Sequence, residues 1–116
     1  MTKYDLEDRT LSFAMHVRSF TEKLARTVEN VEDIRQLTRA SASIGANYIE
    51  ANESLGKKDK IMKIRISRRE AKESRYFTKL LSTGLNKNLE EERAFLINEA
   101  TELMKIFGAI LKKLEG

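Results

Sequence analysis

Residues 37–81 read LTRASASIGANYIEANESLGKKDKIMKIRISRREAKESRYFTKLL, and they hold two helical patterns separated by Gly56. The first pattern is a strict seam whose members recur every three or four residues, which is typical of a helix packed in a bundle. The seam consists of Ile34, Leu37, Ser41, Ile44, Tyr48, Ala51 and Leu55. It predicts a helix over about residues 32–55, and glycine is the residue type that most often follows a helix end.

The second pattern predicts a helix over about residues 58–82 with a less regular apolar line. This line consists of Met62, Ile66, Tyr76, Phe77 and Leu80. Arg69 and Glu73 interrupt it, and buried ions need partners. We expect the two to be partly exposed to water or to be paired, with each other or with polar residues of the preceding helix: Glu50, Asn47 or Asn52. Two interpretations stay open, a binding pocket or, as we favour, a polar pair that fixes the register of a bundle.

Two further helices flank this pair. Helix 1 is predicted over about residues 5–26, with a seam of Leu6, Thr10, Phe13, Val17, Phe20 and Leu24. Helix 4 is predicted over about residues 89–114, with a seam of Leu89, Leu96, Ala100, Leu103, Phe107, Ile110 and Leu114 that only Arg93 breaks. Asn30 is a candidate cap for helix 2. Four long helices joined by short connections predict a single domain over residues 1–116, an all-α, antiparallel up-down-up-down four-helix bundle.

Helices 2 and 4 carry more apolar surface than one small bundle buries easily. Helix 2 has a second face of Thr38, Ala42, Gly45 and Ile49, whose small residues would let another helix approach closely. A packing reason is expected for Gly45, since glycine inside a helix costs about 1 kcal/mol relative to alanine. Helix 4 has a second row of Ile97, Met104 and Leu111. These faces predict a homo-oligomer, although they do not give the number of subunits.

The positive charge of the chain is concentrated in residues 57–79. This stretch holds ten Lys or Arg and three acids, a net charge of +7, whereas the whole chain carries +4. On a helix, five of these cations fall in one stripe roughly 60° wide that contains no acid. The stripe consists of Arg65, Arg68, Lys72, Arg75 and Lys79. We interpret it as a candidate anion-binding ridge, with a solvated lysine-rich face as the alternative.

Composition excludes several classes of chemistry. The chain has no cysteine and one histidine, His16, so neither a thiolate site nor a histidine-based metal site or triad is expected. The pattern of His16 indicates an ordinary residue at the core boundary. No glycine-rich phosphate loop occurs. We therefore expect no enzymatic activity, no cofactor and no metal. The polar start of the sequence and the lack of a long apolar run predict a cytoplasmic protein without a membrane partner.

Parts of the sequence resemble the four-helix-bundle family of the 23S rRNA intervening-sequence proteins, also called ribosomal protein S23-like. The matching parts are SIGAN at 43–47 followed by Glu50, and REAKESRY at 69–76 followed by Leu80 and Leu81. The second part is similar to the KEARET-Y-W-LL form of the family, with Phe77 in place of tryptophan. Ala51 follows Glu50 where many members have glycine, so helix 2 is expected to continue further.

The resemblance implies a homopentameric ring of bundles without enzymatic activity or cofactor. Members are encoded within insertions in large-subunit rRNA genes or stand alone, and their role is poorly established. The accessory variability protein of diversity-generating retroelements is a similar protein, a basic pentamer that binds nucleic acid and a reverse transcriptase. No binding residue is carried over from either resemblance.

Two functions fit the sequence. The first is an oligomeric bundle whose stripe of Arg65, Arg68, Lys72, Arg75 and Lys79 binds the phosphates of RNA or DNA. Aromatic residues near the stripe are scarce, with Tyr76 at its edge, which favours recognition of shape and backbone over stacking on single strands. The alternative is a protein-interaction scaffold that does not bind nucleic acid. A weaker third possibility is a helix bound to a membrane surface.

Overall fold

The computed structural model describes the backbone of residues 3–116 and the side chains of residues 5–116. This part of the chain forms four helices and no strand: α1 Lys3–Thr21, α2 Val28–Asn52, α3 Lys57–Leu80 and α4 Lys87–Glu115. Each helix packs against the next, and α1 also packs against α4, which closes an elongated bundle of 46 × 24 × 20 Å. Contacts of Arg9 with Glu99 and of His16 with Glu92 show that α1 and α4 run antiparallel. The predicted all-α four-helix bundle is confirmed.

The core follows the predicted seams of helices 1, 2 and 4. All six seam residues of helix 1 are buried, as are Leu37 to Ala51 of the helix 2 seam and the centre of the helix 4 seam from Leu96 to Phe107. Leu55 is an exception, because α2 ends at Asn52 and leaves this side chain fully exposed in the connection. Across the described residues, no helix combines the length and the apolar character that crossing a membrane requires.

The predicted apolar line of helix 3 is wrong. Met62 and Tyr76 are each 59% exposed and Leu80 is 49% exposed, so these three residues face outward, whereas Ile66 is half-buried and Phe77 packs against the core. The buried face consists instead of Ile64, Ser67, Glu70, Ala71, Ser74 and Thr78. Its small side chains let α3 lie close to its neighbours. Two of the three hydroxyls on this face have hydrogen-bond partners, whereas the Ser74 hydroxyl is buried without one among the described residues. Ser67 donates to the carbonyl of Ile44 in α2 at 2.9 Å, and Thr78 donates to the carbonyl of Ser74 at 2.7 Å.

The connection between α1 and α2 differs from its predicted position. Helix α1 ends at Thr21 rather than near residue 26, and α2 begins at Val28 rather than near residue 32. Thr27 is the cap of α2, because its hydroxyl accepts the backbone N–H of Asn30 at 3.1 Å. Asn30, the predicted cap, is buried and bridges two connections. Its amide donates to the carbonyls of Ala25 and Ser82 at 3.0 Å, and its oxygen accepts the N–H of Ser82 at 2.9 Å.

Arg93 explains the one break in the helix 4 seam. Its guanidinium is mostly buried and donates to the carbonyls of Thr78 and Lys79 at 3.2 Å, and also to the carbonyl of Leu81. These carbonyls belong to the last turn of α3, where the helix itself supplies no donors. Arg93 therefore caps α3 and fixes the start of α4 against it.

The second face of helix 2 contacts α1 at Gly45. A Cβ added to Gly45 would lie 2.7 Å from the Thr10 hydroxyl oxygen and 3.1 Å from the Thr10 Cβ. Thr10 cannot easily rotate away, because it is buried and its hydroxyl donates to the carbonyls of Leu6 and Glu7. The close approach of α1 and α2 thus requires glycine here.

We expect Gly45→Ala to lower the free energy of unfolding by about 1 kcal/mol, because overpacking costs about 1–3 kcal/mol and the gain in helix propensity is only about 1 kcal/mol. Gly108→Ala in α4 is the matched control. Its Cβ would lie 3.8 Å from Arg68 Nε, an ordinary contact, so the variant should gain up to about 1 kcal/mol. Urea unfolding of both variants measures the difference, and equal shifts of the same sign would contradict the steric argument.

Candidate nucleic-acid interface

The basic stripe of α3 lies beside α4. Arg65 pairs with Glu115 at the end of α4, and Arg75 donates to the hydroxyl of Thr101 at 3.3 Å. The other three stripe residues, Arg68, Lys72 and Lys79, are exposed and form no ion pair with any side chain that the structure describes. The stripe therefore combines two anchored cations with three that are available to an outside anion.

A groove between α3 and α4 collects most of these cations. It has a volume of about 810 Å³ and is lined by Arg65, Arg68, Arg69, Lys72, Met104, Gly108, Leu111, Lys112, Glu115 and Gly116. Five of these side chains are Lys or Arg, and Glu115 is the one carboxylate side chain among them. Its floor at Gly108 has no side chain, so the Arg68 guanidinium lies directly over the backbone of α4. The groove is thus an open, strongly positive channel.

Lys79 and Arg75 do not line this groove. Lys79 is exposed farther along α3, toward the end of the helix that Arg93 caps. Arg75 lies between the groove and Lys79, and it is half-buried because its guanidinium donates to the Thr101 hydroxyl. The predicted stripe is therefore continuous along the helix, but the groove contains only Arg65, Arg68 and Lys72 of its members.

The expected Arg69–Glu73 pair is replaced by a different network. Glu73 accepts from Arg39 of α2 at 3.1 Å, whereas Arg69 lies 3.8 Å from Glu70 and is well exposed. Glu70 is buried and accepts from Arg39 at 3.0 Å. Arg39 therefore bridges two carboxylates one turn apart and joins α2 to α3. Glu73 thus belongs to a polar contact between two helices, whereas Arg69 is exposed and lines the α3–α4 groove, so the predicted pairing of the two is wrong.

The three candidate partners from helix 2 are engaged elsewhere. Glu50 pairs with Lys63 at 3.3 Å, Asn47 donates to Ser43, and Asn52 donates to Glu7 of α1 at 2.9 Å. Within residues 5–116, no three His, Asp or Glu side chains converge as metal ligands would. His16 lies at the edge of the core, as expected, where its Nε2 is 3.1 Å from a Glu92 oxygen and its ring contacts Phe95.

Comparison with known proteins decides the family. Residues 2–109 match the model of the family described as 23S rRNA-intervening sequence protein, which covers nearly the whole chain. The chain belongs to this family. The resemblance inferred from SIGAN and REAKESRY is thereby confirmed. Among curated proteins, none matches the chain.

A solved structure similar to this 23S rRNA-intervening sequence family member comes from Bacteroides thetaiotaomicron VPI-5482. It is a protein of unknown function from the S23 ribosomal protein family, 29% identical, with a TM-score of 0.79. The match covers 91% of this chain and 97% of that chain, so the two bundles correspond over almost their full length.

Two residues that line the groove of this family member are missing from the site predicted from sequence, Arg69 and Lys112. Arg69 lies outside the predicted stripe, at a point where it interrupts the apolar line. The outward position of Arg69 follows once Ser67, Ala71 and Ser74 are recognised as the buried row. No pattern in the sequence indicates that Lys112 lines the groove, because its position depends on how α4 packs against α3.

The pKa of Glu70 is raised above its ordinary value of 4.5, mainly because burial disfavours the charged carboxylate and also because Glu73 lies beside it. Arg39 acts in the opposite direction. The folded protein thus holds this proton more tightly than the unfolded chain, so the free energy of unfolding falls as the pH rises from 4.5 through the raised pKa.

We expect Glu70→Gln, which is neutral at every pH, to reduce this fall in stability. Urea unfolding over a pH series measures it. Glu91→Gln, at an exposed position in α4, is the control and should leave the pH dependence unchanged. If the Glu70→Gln and wild-type curves run parallel above pH 4.5, burial of Glu70 does not govern the pH dependence.

Proposed function

We propose that this protein is a non-catalytic bundle that binds the phosphate backbone of RNA or DNA at the α3–α4 groove and the adjoining stripe. The observation that carries the proposal is the accumulation of five Lys or Arg side chains around one carboxylate side chain. An ordinary solvated helix face mixes both signs, because opposite charges one turn apart support each other. Among the five groove cations, only Arg65 with Glu115 and Arg69 with Glu70 lie near a carboxylate side chain.

The geometry suits an extended anion better than a small one. The stripe from Arg65 to Lys79 spans roughly 21 Å at 1.5 Å per residue. Its available cations, Arg68, Lys72 and Lys79, follow one another at intervals of about one or two turns. Lys and Arg contacts to phosphate provide affinity without sequence choice, and they release counterions from the nucleic acid. A backbone lying along α3 would contact several of these cations at once.

A protein-interaction scaffold is the second candidate function, and an apolar groove on the opposite face of the bundle supports a contact with protein. Leu11, Met15 and Ile49 surround a groove between α1 and α2 and are 58%, 62% and 48% exposed. The floor of this groove consists of Ala14, Ala42, Gly45 and Ala46. Large apolar side chains around a floor of small residues are typical of a surface that another helix covers. We assign this surface to self-association, so it supplements the basic groove.

The proposed function is tested by fluorescence anisotropy with labelled structured RNA and duplex DNA over a salt series. Wild-type protein should bind with an affinity whose logarithm falls linearly with the logarithm of salt. Arg68→Glu/Lys72→Glu should weaken binding roughly 10- to 100-fold and reduce the salt slope by about 1.4–1.8, since each lost phosphate contact removes about 0.7–0.9. Arg75 is a poorer target, because Thr101 already holds it.

The matched control is Lys87→Glu/Lys113→Glu, which changes the net charge equally. Both are exposed residues of α4, and neither lines the α3–α4 groove or the α1–α2 groove. A loss of affinity as large as in the first variant would mean that overall charge, and not this groove, attracts nucleic acid. Absence of binding even at low salt would contradict the proposal altogether.

We propose further that the chain forms a homo-oligomer through the α1–α2 groove. The exposure of Leu11, Met15 and Ile49 supports association, and the resemblance to the family supports a pentamer. The second row of helix 4 contributes less than the sequence suggests, because Leu111 is buried within the bundle and Ile97 and Met104 are half-buried.

Native mass spectrometry should give a mass five times the 13.4 kDa of one chain. Leu11→Glu/Met15→Glu should yield single chains of unchanged helicity, because two carboxylates would be buried without partners in the assembled state. Val28→Glu, at a residue 85% exposed outside the groove, should keep the wild-type mass. An unaltered mass for Leu11→Glu/Met15→Glu would place the contact on another face.

A further inference from the structure

We propose that the basic surface of α3 takes an unpaired segment of nucleic acid and that one of its bases stacks on Tyr76. This inference rests on the proposed function and specifies its ligand. It reverses the expectation from sequence, which placed Tyr76 in an inward apolar line. The side chain is 59% exposed and lies on the outer side of the helix.

The exposed ring of Tyr76 is held in its orientation by a contact with a neighbouring aromatic ring. Phe77, which packs against the core, meets it in an edge-to-face contact with ring centroids 5.4 Å apart and an interplanar angle of 79°. The contact orients the tyrosine ring and leaves most of it in solvent. Tyr48, by comparison, is buried and packs against Phe107 at 5.7 Å. Tyr76 is thus the tyrosine among the described side chains that an external base can reach.

The neighbours of Tyr76 on the helix surface are the available cations. Lys72 precedes it by four residues and Lys79 follows it by three, which places both about 5–6 Å away at the Cβ atoms. Arg69 lies one further turn toward the start of the helix and is exposed. A strand whose successive phosphates contact Lys72 and Lys79 therefore passes directly over the ring.

This arrangement favours an unpaired strand over a duplex. Bases in a duplex are stacked on each other, and their faces are unavailable to a side chain. A single strand can turn a base outward onto an aromatic ring while its backbone follows a positive groove, and such stacking tolerates any base. An exposed, braced tyrosine between two lysines provides both elements on one helix face.

The test compares labelled oligothymidine with a duplex of equal length at one salt concentration. Tyr76→Ala should weaken binding of oligothymidine about 5- to 150-fold, the range that corresponds to about 1–3 kcal/mol per stacked base. Tyr76→Phe keeps the ring and should stay within about twofold of wild type. Tyr76→Leu, which keeps apolar bulk without a π face, should behave like the alanine variant. Leu80→Ala, one turn farther on the same outer face, is the control and should bind like wild type.

A spectroscopic measurement distinguishes stacking from a structural effect. The chain contains no tryptophan, so its intrinsic emission comes from tyrosine. Oligothymidine should quench this emission on binding, and the quenching should be lost in Tyr76→Phe although that variant still binds.

Several outcomes would overturn the inference. Equal effects of Tyr76→Ala on oligothymidine and duplex, or none on either, would show that no base stacks there, while the proposed function would stand. A changed oligomer mass in Tyr76→Ala would assign the residue to a contact between copies of the chain. Failure of every probe to bind at low salt would remove the proposed function together with this inference.

Discussion

The buried row of small side chains on α3 determines which residues of this helix face α4 and which face solvent. Ser67, Ala71 and Ser74 are fully buried and let α3 approach both α2 and α4. With this row turned inward, the helical repeat leaves the Arg68 and Lys72 positions beside α4 and Tyr76 facing outward. A rotation of α3 by one residue would place the cations against the core, where unpaired charges are strongly unfavourable. The rotation of α3 about its axis therefore sets both the packing of its buried face and the exposure of its basic surface.

Polar contacts between α3 and α2 fix the same rotation of α3 about its own axis. Arg39 reaches from α2 to two carboxylates, Glu70 and Glu73, and Ser67 donates to the Ile44 carbonyl. Replacing a buried ion pair by apolar residues is often neutral or favourable for stability, so such a pair is better explained by the register that it imposes. If α3 slid by one turn, Glu70 would be left buried without its arginine. The acidic side of α3 thus faces α2, while Arg68, Lys72 and Lys79 on its basic side pair with no described carboxylate side chain.

The sequence predicts the buried face of a helix correctly where that face is also the most hydrophobic one. It predicts the wrong face where the two differ. The seam from Leu6 to Leu24 is apolar apart from Thr10, and every member is buried. On α3 the buried face carries hydroxyls, and hydropathy alone points to the other side of the helix. Two of these hydroxyls cost little, because Thr78 bonds to its own helix and Ser67 to α2, whereas the Ser74 hydroxyl is buried without a partner among the described residues. A row of small residues spaced three and four apart would have indicated the correct face.

The basic stripe could be located from sequence because it depends only on the spacing along one helix. The groove could not be located in this way, since Lys112 and Gly108 come from α4 and Glu115 neutralises one end of the stripe.

Helix order places the α1–α2 groove on the side of the bundle opposite to the α3–α4 groove. Association of subunits through the α1–α2 groove would therefore leave the α3–α4 groove open in every subunit. A single stripe with three available cations offers weak affinity, whereas a closed assembly repeats it around a symmetry axis and turns later contacts into intramolecular ones. Avidity of this kind lets a bundle with modest individual sites retain a long nucleic acid.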